Sequence, residues 1–427
     1  MQVVFPGGRS RVRPGVDREG QSMRIRKTTP PAAAPLRFVD VLSGFRGCVE
    51  KGIPGQLEDE IRRYFHADYV FFLSSGKAAF FLILCALKGL RKRKKVIIPA
   101  YTCYSVPSAI RKAGLEIVPC DIRAETLDFD PGQLEKLCDD DTLCVVPTHL
   151  FGIPSDVARV RELAGRRGIY IVEDAAQALG VSRGKEILGT LGDVAFFSFG
   201  RGKNISCGSG GLIITSSDKI AERIRALYEG LNPEPFGESA RAFFEVIFLN
   251  IFLSPYLYWF PYGLPFLKLG ETKYFTDFPI YRMSGFKAGL LRNWKMRLEQ
   301  HNEVRASITA GYIRSLDLDR TIGIYSQAFP CLRFPIYSGD ATGKKAICEK
   351  FRYMGISPMY PASVNEIREI QGSLTEGSCP SSEKVAETLI TLPTHSMMDG
   401  SQRNILCDRI NEFPALRYRR GTGRSDQ

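Results

Sequence analysis

The sequence predicts an α/β protein. A large lobe is built on a mainly parallel sheet flanked by helices, and a smaller α/β lobe follows toward the C-terminus. Three observations predict this. At 427 residues and 47.7 kDa, the chain exceeds the ~100–200 residues usual for one domain. From about Phe38 to Leu231, short β-rich runs alternate with helical stretches, the rhythm of parallel strands joined by crossover helices. Apolar residues make up 44% and charged residues 24%, which excludes a disordered, collagen-like or coiled-coil chain.

The elements follow in order. Tyr69–Leu73 is a strand that runs into Ser74-Ser75-Gly76 and then an apolar helix to Leu90. Val96-Ile97-Ile98 ends at Pro99, with a helix through Ile110. Further strands are expected at Glu116–Cys120, Leu143–Val146, Tyr170–Val172, Val194–Phe199 and Leu212–Thr215, with a surface helix over Asp156–Gly168. One long helical pattern covers Ser284 to about Leu316. Strands near Leu332–Ile336 and Leu389–Leu392 and a closing helix from Ser401 to Glu412 complete the small lobe. The resulting division is a basic flexible tail at 1–35, a large lobe at 36–280, a linking helix with the small lobe at 281–415, and a basic tail at 416–427.

The formal charge of +12 is concentrated at the ends. Residues 1–28 hold seven basic residues against two acids, and residues 416–427 four arginines against one acid. The tails therefore carry eight of the twelve charges and read as solvated segments rather than a nucleic-acid surface. The 11 cysteines include no CxxC pair and stand beside only 4 histidines. Buried thiols in a reducing cytoplasm are expected, and no metal site. The N-terminus lacks the apolar core of a secretory signal, and Met23 offers an alternative start.

Residues 246–267 contain no charge. The length is enough to span a bilayer, but Pro255, Pro261, Pro265 and Gly263 would break the helix. The aromatics Tyr256, Tyr258, Trp259, Phe260 and Tyr262 suit either a buried or dimer-facing hairpin or peripheral contact with lipid headgroups.

The chemistry concentrates in residues 171–211, because ligands of parallel sheets sit beyond the carboxyl ends of the strands. One strand ends in Glu173-Asp174. The next ends in Phe197-Ser198-Phe199, followed by Lys203 and a Gly-rich turn. A desolvated lysine can form a Schiff base. A buried Asp facing a pyridine nitrogen keeps that nitrogen protonated, so the ring accepts electrons. This set suits a phosphorylated aromatic cofactor. Each part alone has an ordinary reading: Asp174 as a helix cap, Lys203 as a solvated loop residue. Upstream, Ser74-Ser75-Gly76-Lys77 opens a helix whose free N–H groups can bind phosphate, without Walker spacing.

The ordered set SSGKAAF (74–80), PAYTCYSVPSAI (99–110), PTHLFGIPSDV (147–157), VEDAAQALG (172–180), GTLGDVAFFSFGRGKNISCGSGG (189–211) and CPSSEKVAETLITLPTH (379–395) resembles the DegT/DnrJ/StrS-type sugar aminotransferases. These are fold-type I enzymes that use pyridoxal 5'-phosphate, and the resemblance runs from about residue 36 to 413. It implies that Lys203 holds the cofactor covalently and shuttles the proton, and that Asp174 pairs with the pyridine nitrogen. Gln177 would contact the ring's oxygen side and Ser198 the phosphate. Gly76 and Lys77 would supply phosphate-binding amides, with Lys77 replacing the family's usual Thr.

The sequence also departs from that pattern. Cys103 stands where an aromatic usually stacks on the ring, with Tyr101 and Tyr104 as neighbouring candidates. Ser209 replaces the acid of a GEGG motif, and Ile280 in IYRMS (280–284) replaces an asparagine that reaches the partner subunit's cofactor. His149, His395 and Arg282 have both pocket and structural readings.

The resemblance implies an aminotransferase. An amino acid, glutamate by family habit, would donate to a keto-sugar or related carbonyl in nucleotide-sugar, polysaccharide or glycolipid biosynthesis. The expected enzyme is a cytoplasmic homodimer, with peripheral membrane contact through 246–267 as the sharper reading of the insert. One rival is a PLP-dependent sugar dehydratase, in which the lysine position is His. The other is a noncatalytic scaffold or regulatory protein at a membrane surface.

Overall fold

The computed structural model describes residues 27–50, 52–264, 272–318, 323–371, 374 and 377–413. The outer parts of both basic tails, Met23 and the end of the apolar insert lie outside them.

The strands are β1 (Tyr69–Leu73), β2 (Lys95–Pro99), β3 (Glu116–Cys120), β4 (Ile122–Arg123), β5 (Asp128–Phe129), β6 (Thr142–Val145), β7 (Tyr170–Asp174), β8 (Ser182–Arg183), β9 (Glu186–Ile187), β10 (Val194–Ser198), β11 (Gly211–Thr215), β12 (Arg333–Tyr337) and β13 (Leu389–Pro393). The helices are α1 (Phe38–Val49), α2 (Ile53–Phe65), α3 (Gly76–Leu90), α4 (Ser105–Lys112), α5 (Pro131–Leu137), α6 (Val157–Gly165), α7 (Asp218–Glu229), α8 (Phe236–Phe252), α9 (Trp259–Tyr262), α10 (Gly285–Leu290), α11 (Trp294–Ser315), α12 (Ala341–Lys350), α13 (Pro380–Thr388) and α14 (Gly400–Asn411).

Seven strands form one sheet in the order β1-β11-β10-β7-β6-β2-β3. The pairings from β10 through β3 are parallel, and only β11 runs against its neighbours. Val96, Ile97 and Ile98 are all fully buried, as expected for a strand covered on both faces. The mainly parallel sheet agrees with the sequence expectation. The small lobe is the antiparallel pair β12–β13 with α12, α13 and α14.

The single helix expected over 284–316 is two helices. After Leu290 the chain tightens, with Leu291 N–H donating to Ala288 O and Arg292 N–H to Gly289 O. This turn lets α10 lie against α1 while α11 leaves in a new direction. Before α1, Thr28, Thr29, Ala33, Ala34 and Leu36 are buried, so the packed body begins ahead of residue 36.

The described part of the insert is helical, in α8 and α9, and it packs on its own chain. Asn250 on α8 exchanges hydrogen bonds with the backbone of Leu36 at 2.9 and 2.7 Å. Glu245 pairs with Arg201 at 2.9 Å. Among the described residues no helix is long and apolar enough to cross a membrane.

Candidate active site

The carboxyl ends of β1, β2, β6, β7 and β10 point to one side of the sheet, and the predicted site residues meet there. β1 leads into Gly76, β7 delivers Asp174 and β10 delivers Ser198. Because β1, β11 and β10 are neighbours, residues over a hundred positions apart come into contact. A Cβ on Gly76 would lie 2.8 Å from Ser198 Cβ, so only glycine permits this approach.

Lys203 follows a turn in which its N–H donates to Gly200 O at 3.3 Å. Gly202 sits at φ +69°, the left-handed conformation that such turns require. The buried Arg305 fixes the loop from α11, donating to Asn204 O at 3.0 Å and to Lys203 O at 3.4 Å. Burial, reinforced by the nearby charge of Arg333, pushes the Lys203 amine below its ordinary value, although Cys103 and Asp174 oppose the shift. The amine is therefore more readily neutral than an exposed lysine, as a nucleophile requires.

Asp174 is buried, and burial pushes its carboxyl above the usual range, against the opposing charge of Lys203 and the Ala176 amide. Its Oδ1 accepts from Ala176 N–H at 3.1 Å. Beside it, Glu173 is a fastener. His149 Nε2–H donates to Glu173 Oε2 at 2.9 Å, while His149 Nδ1 accepts from Ser155 N–H at 3.0 Å. Glu173 also accepts from the backbone of Gly189 and Leu191. His149 is thus the structural histidine of its two readings.

At the start of α3, Ser75 Oγ accepts from Ala78 N–H at 3.1 Å. The first amides of the helix have no intrahelical acceptors. Ser198 Oγ accepts from Gly200 N–H at 3.3 Å and faces the same point. The Lys77 side chain leaves this cradle, with its ammonium 3.5 Å from the Phe275 ring centroid and 4.9 Å from that of Phe278. Burial lowers its pKa to about 8.

Gln177 bridges the two lobes. Its Oε1 accepts from Phe151 N–H at 3.2 Å, and its Nε2 donates to the buried Tyr360 hydroxyl at 3.0 Å. Of the three residues near the ring-stacking position, Tyr104 is committed to Ala362 O at 3.1 Å. Cys103 interacts electrostatically with both Lys77 and Lys203. The Tyr101 ring lies 5.4 Å from that of Tyr360.

Two other candidates fall elsewhere. His395 Nε2–H donates to Pro30 O at 2.7 Å, and burial lowers its pKa to about 4. It is a neutral tie between the small lobe and the chain's first packed residues. Arg282 lines a separate cleft of about 340 Å³ with Arg62, Tyr69, Arg225 and Tyr228. Sequence reasoning missed Arg333, Tyr360 and Tyr258, which come from the small lobe and the insert. The one available signal was a charge inside the otherwise apolar strand LRFPIY (332–337).

A phosphorylated pyridine fits these residues. A buried carboxyl short of partners suits a protonated ring nitrogen, and the Gly76–Ser198 cradle suits a phosphate. The buried Thr102 hydroxyl also has no hydrogen-bond partner among the described residues.

Comparison with known proteins supports the same reading. A sequence model of the DegT/DnrJ/EryC1/StrS aminotransferase family matches residues 54–241. The chain is 39% identical over 372 residues to dTDP-3-amino-3,4,6-trideoxy-alpha-D-glucose transaminase of Streptomyces venezuelae, covering 83% of this chain and 86% of that protein. It is 25% identical over 375 residues to a pleiotropic regulatory protein of Geobacillus stearothermophilus, covering 84% and 88%. Among solved structures, Helicobacter pylori PseC, an aminotransferase involved in the biosynthesis of pseudoaminic acid, matches with a TM-score of 0.72 at 15% identity, over 89% of this chain and 97% of that one. That likeness shows the fold, whereas the 39% identity spans most of both sequences. The chain belongs to the DegT/DnrJ/EryC1/StrS aminotransferase family, whose cofactor is pyridoxal 5'-phosphate.

Proposed function

We propose that this aminotransferase moves an amino group from an amino acid, glutamate in the simplest case, to a keto-sugar carried on a nucleotide. The observation that carries the reading is the meeting of Lys203, with its depressed pKa, and the buried Asp174 beside the Gly76–Ser198 cradle. The 39% identical sugar transaminase supports the choice of acceptor. When bound, pyridoxal phosphate supplies an electron sink for the pair released as a substrate C–H bond ionises.

The chain's own residues do the rest. The Lys203 amine takes and returns the proton at the substrate carbon. Asp174 holds a positive ring nitrogen in place by charge. The Gly76 and Lys77 amides and the Ser198 hydroxyl bind phosphate oxygens, and Gln177 orients the opposite edge from its bridge to Tyr360. In this reading residues 36–280 carry the cofactor and residues 281–415 close over the substrate.

The enzyme works as a cytoplasmic homodimer. Supporting this, Phe38 and Val49 on α1 and Phe236 and Phe244 on α8 are exposed. The Phe45 and Phe243 rings, 5.0 Å apart, join the two helices into one apolar face of a kind that a partner subunit covers. Peripheral membrane contact by the same aromatics is the second reading. Cosedimentation with anionic vesicles, compared with the mass in solution, separates the two.

The activity test incubates the cofactor-loaded protein with glutamate and nucleotide-linked keto-sugars. Amino-sugar product with 2-oxoglutarate release is expected. Glutamate turnover with no sugar accepted would overturn the choice of acceptor.

A further inference from the structure

Arg333 is a half-buried cation, with its Nη1 fully enclosed, that the roles above do not use. It opens β12, opposite Pro393. The preceding Leu332 N–H donates to Phe151 O at 2.8 Å, and Phe151 N–H is in turn held by Gln177. This seats Arg333 against the Gln177–Tyr360 bridge. Its charge acts on Lys203, and the groups acting on it are the phenols of Tyr360 and Tyr258.

No carboxylate appears among those neighbours, and Arg333 Nη1 is buried with no hydrogen-bond partner among the described residues. Leaving a guanidinium nitrogen dry and unpaired is costly, the more so near a second amine. An arrangement of this kind is completed by an anion arriving from outside. Tyr258 is delivered by the insert. It precedes α9, is buried, and also feels the charge of Arg201. The apolar segment thus brings a buried phenol within electrostatic reach of the guanidinium.

We propose that Arg333 and Tyr258 form a subsite for an oxyanion carried by a substrate, with the insert α8–α9 as its roof. Arg333 presents its planar fork to two oxygens, and the Tyr258 hydroxyl donates to one of them. The anion is the carboxylate of the amino donor or a phosphoryl group of the acceptor. Either would be held close to Lys203, and so with its reacting carbon near the amine. The inference rests on the aminotransferase reading and deepens it.

The test uses the cofactor-loaded full chain and two unreactive probes, glutarate for carboxylate and dTDP for phosphoryl groups. Binding is measured by calorimetry in wild type, Arg333→Gln, Arg333→Lys and Tyr258→Phe. Arg333→Gln should weaken one probe about tenfold or more, the usual worth of a charge-assisted contact, with partial rescue by Arg333→Lys. Weaker glutarate binding assigns the subsite to the donor, and weaker dTDP binding assigns it to the acceptor. If Arg333→Gln melts early, Tyr258→Phe carries the test, with about threefold weaker binding of the same probe expected. Unchanged binding of both probes in folded variants that keep the visible cofactor band would overturn the subsite and leave the aminotransferase reading standing. A wild type with no cofactor band would overturn both.

Discussion

Two lysines of this protein are drawn in from the surface, Lys287 fully and Lys203 partly, and they are treated in opposite ways. Lys287 on α10 is 1% exposed. It forms an ion pair with Glu234 and donates to Ser209 Oγ at 2.7 Å. Lys203 has an acid, a thiol and an arginine nearby, but its amine makes no hydrogen bond among the described residues, and burial with Arg333 depresses its pKa. The first lysine is compensated and joins α10 to the Gly-rich turn at Ser209. The second is left uncompensated, close to a buried carboxyl whose pKa moves the other way. A cation buried with its partner is a structural fastener; one buried beside an incomplete set of partners is a reagent awaiting substrate and cofactor.

Substitutions should break the two sites differently. Lys203→Gln should lower transamination on the order of 10³-fold or more, since it removes the group that moves the proton, while leaving the melting temperature near that of wild type. Asp174→Asn should follow, with a loss on the order of 10²-fold in kcat and weaker retention of the cofactor on dialysis. Lys287→Met inverts the pattern. It leaves Glu234 buried and unpaired, so denaturant titration should show a loss of about 3–5 kcal/mol, while molecules that remain folded keep an ordinary KM. A fall in kcat as large as that of Lys203→Gln, at unchanged stability, would erase the distinction.

pH sharpens the comparison. The folded-state pKa of Lys203 lies below the ordinary lysine value of 10.5, so the free amine becomes neutral early, and the rate at which cofactor-free protein takes up pyridoxal phosphate should rise with a midpoint below 10.5. Removing the Arg333 charge should move that midpoint upward. A smaller effect belongs to Lys77, lowered from 10.5 to about 8. Between these values the unfolded chain binds more protons than the folded one, so this group adds stability as pH rises through the window. Lys77→Thr should flatten that part of the stability profile, read as melting temperature against pH relative to wild type.

The legible part of the molecule was local. Strand ends at Asp174 and Ser198 and the turn to Lys203 lie within one short stretch of chain, where alternation and glycine placement are strong signals. The phosphate cradle needed the strand order as well, because Gly76 meets Ser198 only when β11 lies between their strands. Arg333, Tyr360 and Tyr258 were invisible as site residues. Each is brought in by packing between lobes or by the insert, and the one local mark is the charge of Arg333 within the apolar run LRFPIY (332–337). The break between α10 and α11 was missed for a similar reason, since helical spacing continues through 291–293 and only packing against α1 turns the chain. His149 had two readings because a buried histidine in a loop after a strand looks the same whether it faces substrate or, as here, Glu173.

The central claim is that the amine at position 203, rather than those of Lys77 or Lys287, carries the cofactor. Borohydride reduction of the loaded protein, followed by protease digestion and mass spectrometry, tests it directly. The account predicts a reduced-cofactor adduct on the peptide containing Lys203 together with loss of the visible band. An adduct on the peptide containing Lys77 or Lys287, with the Lys203 peptide unmodified, would contradict it.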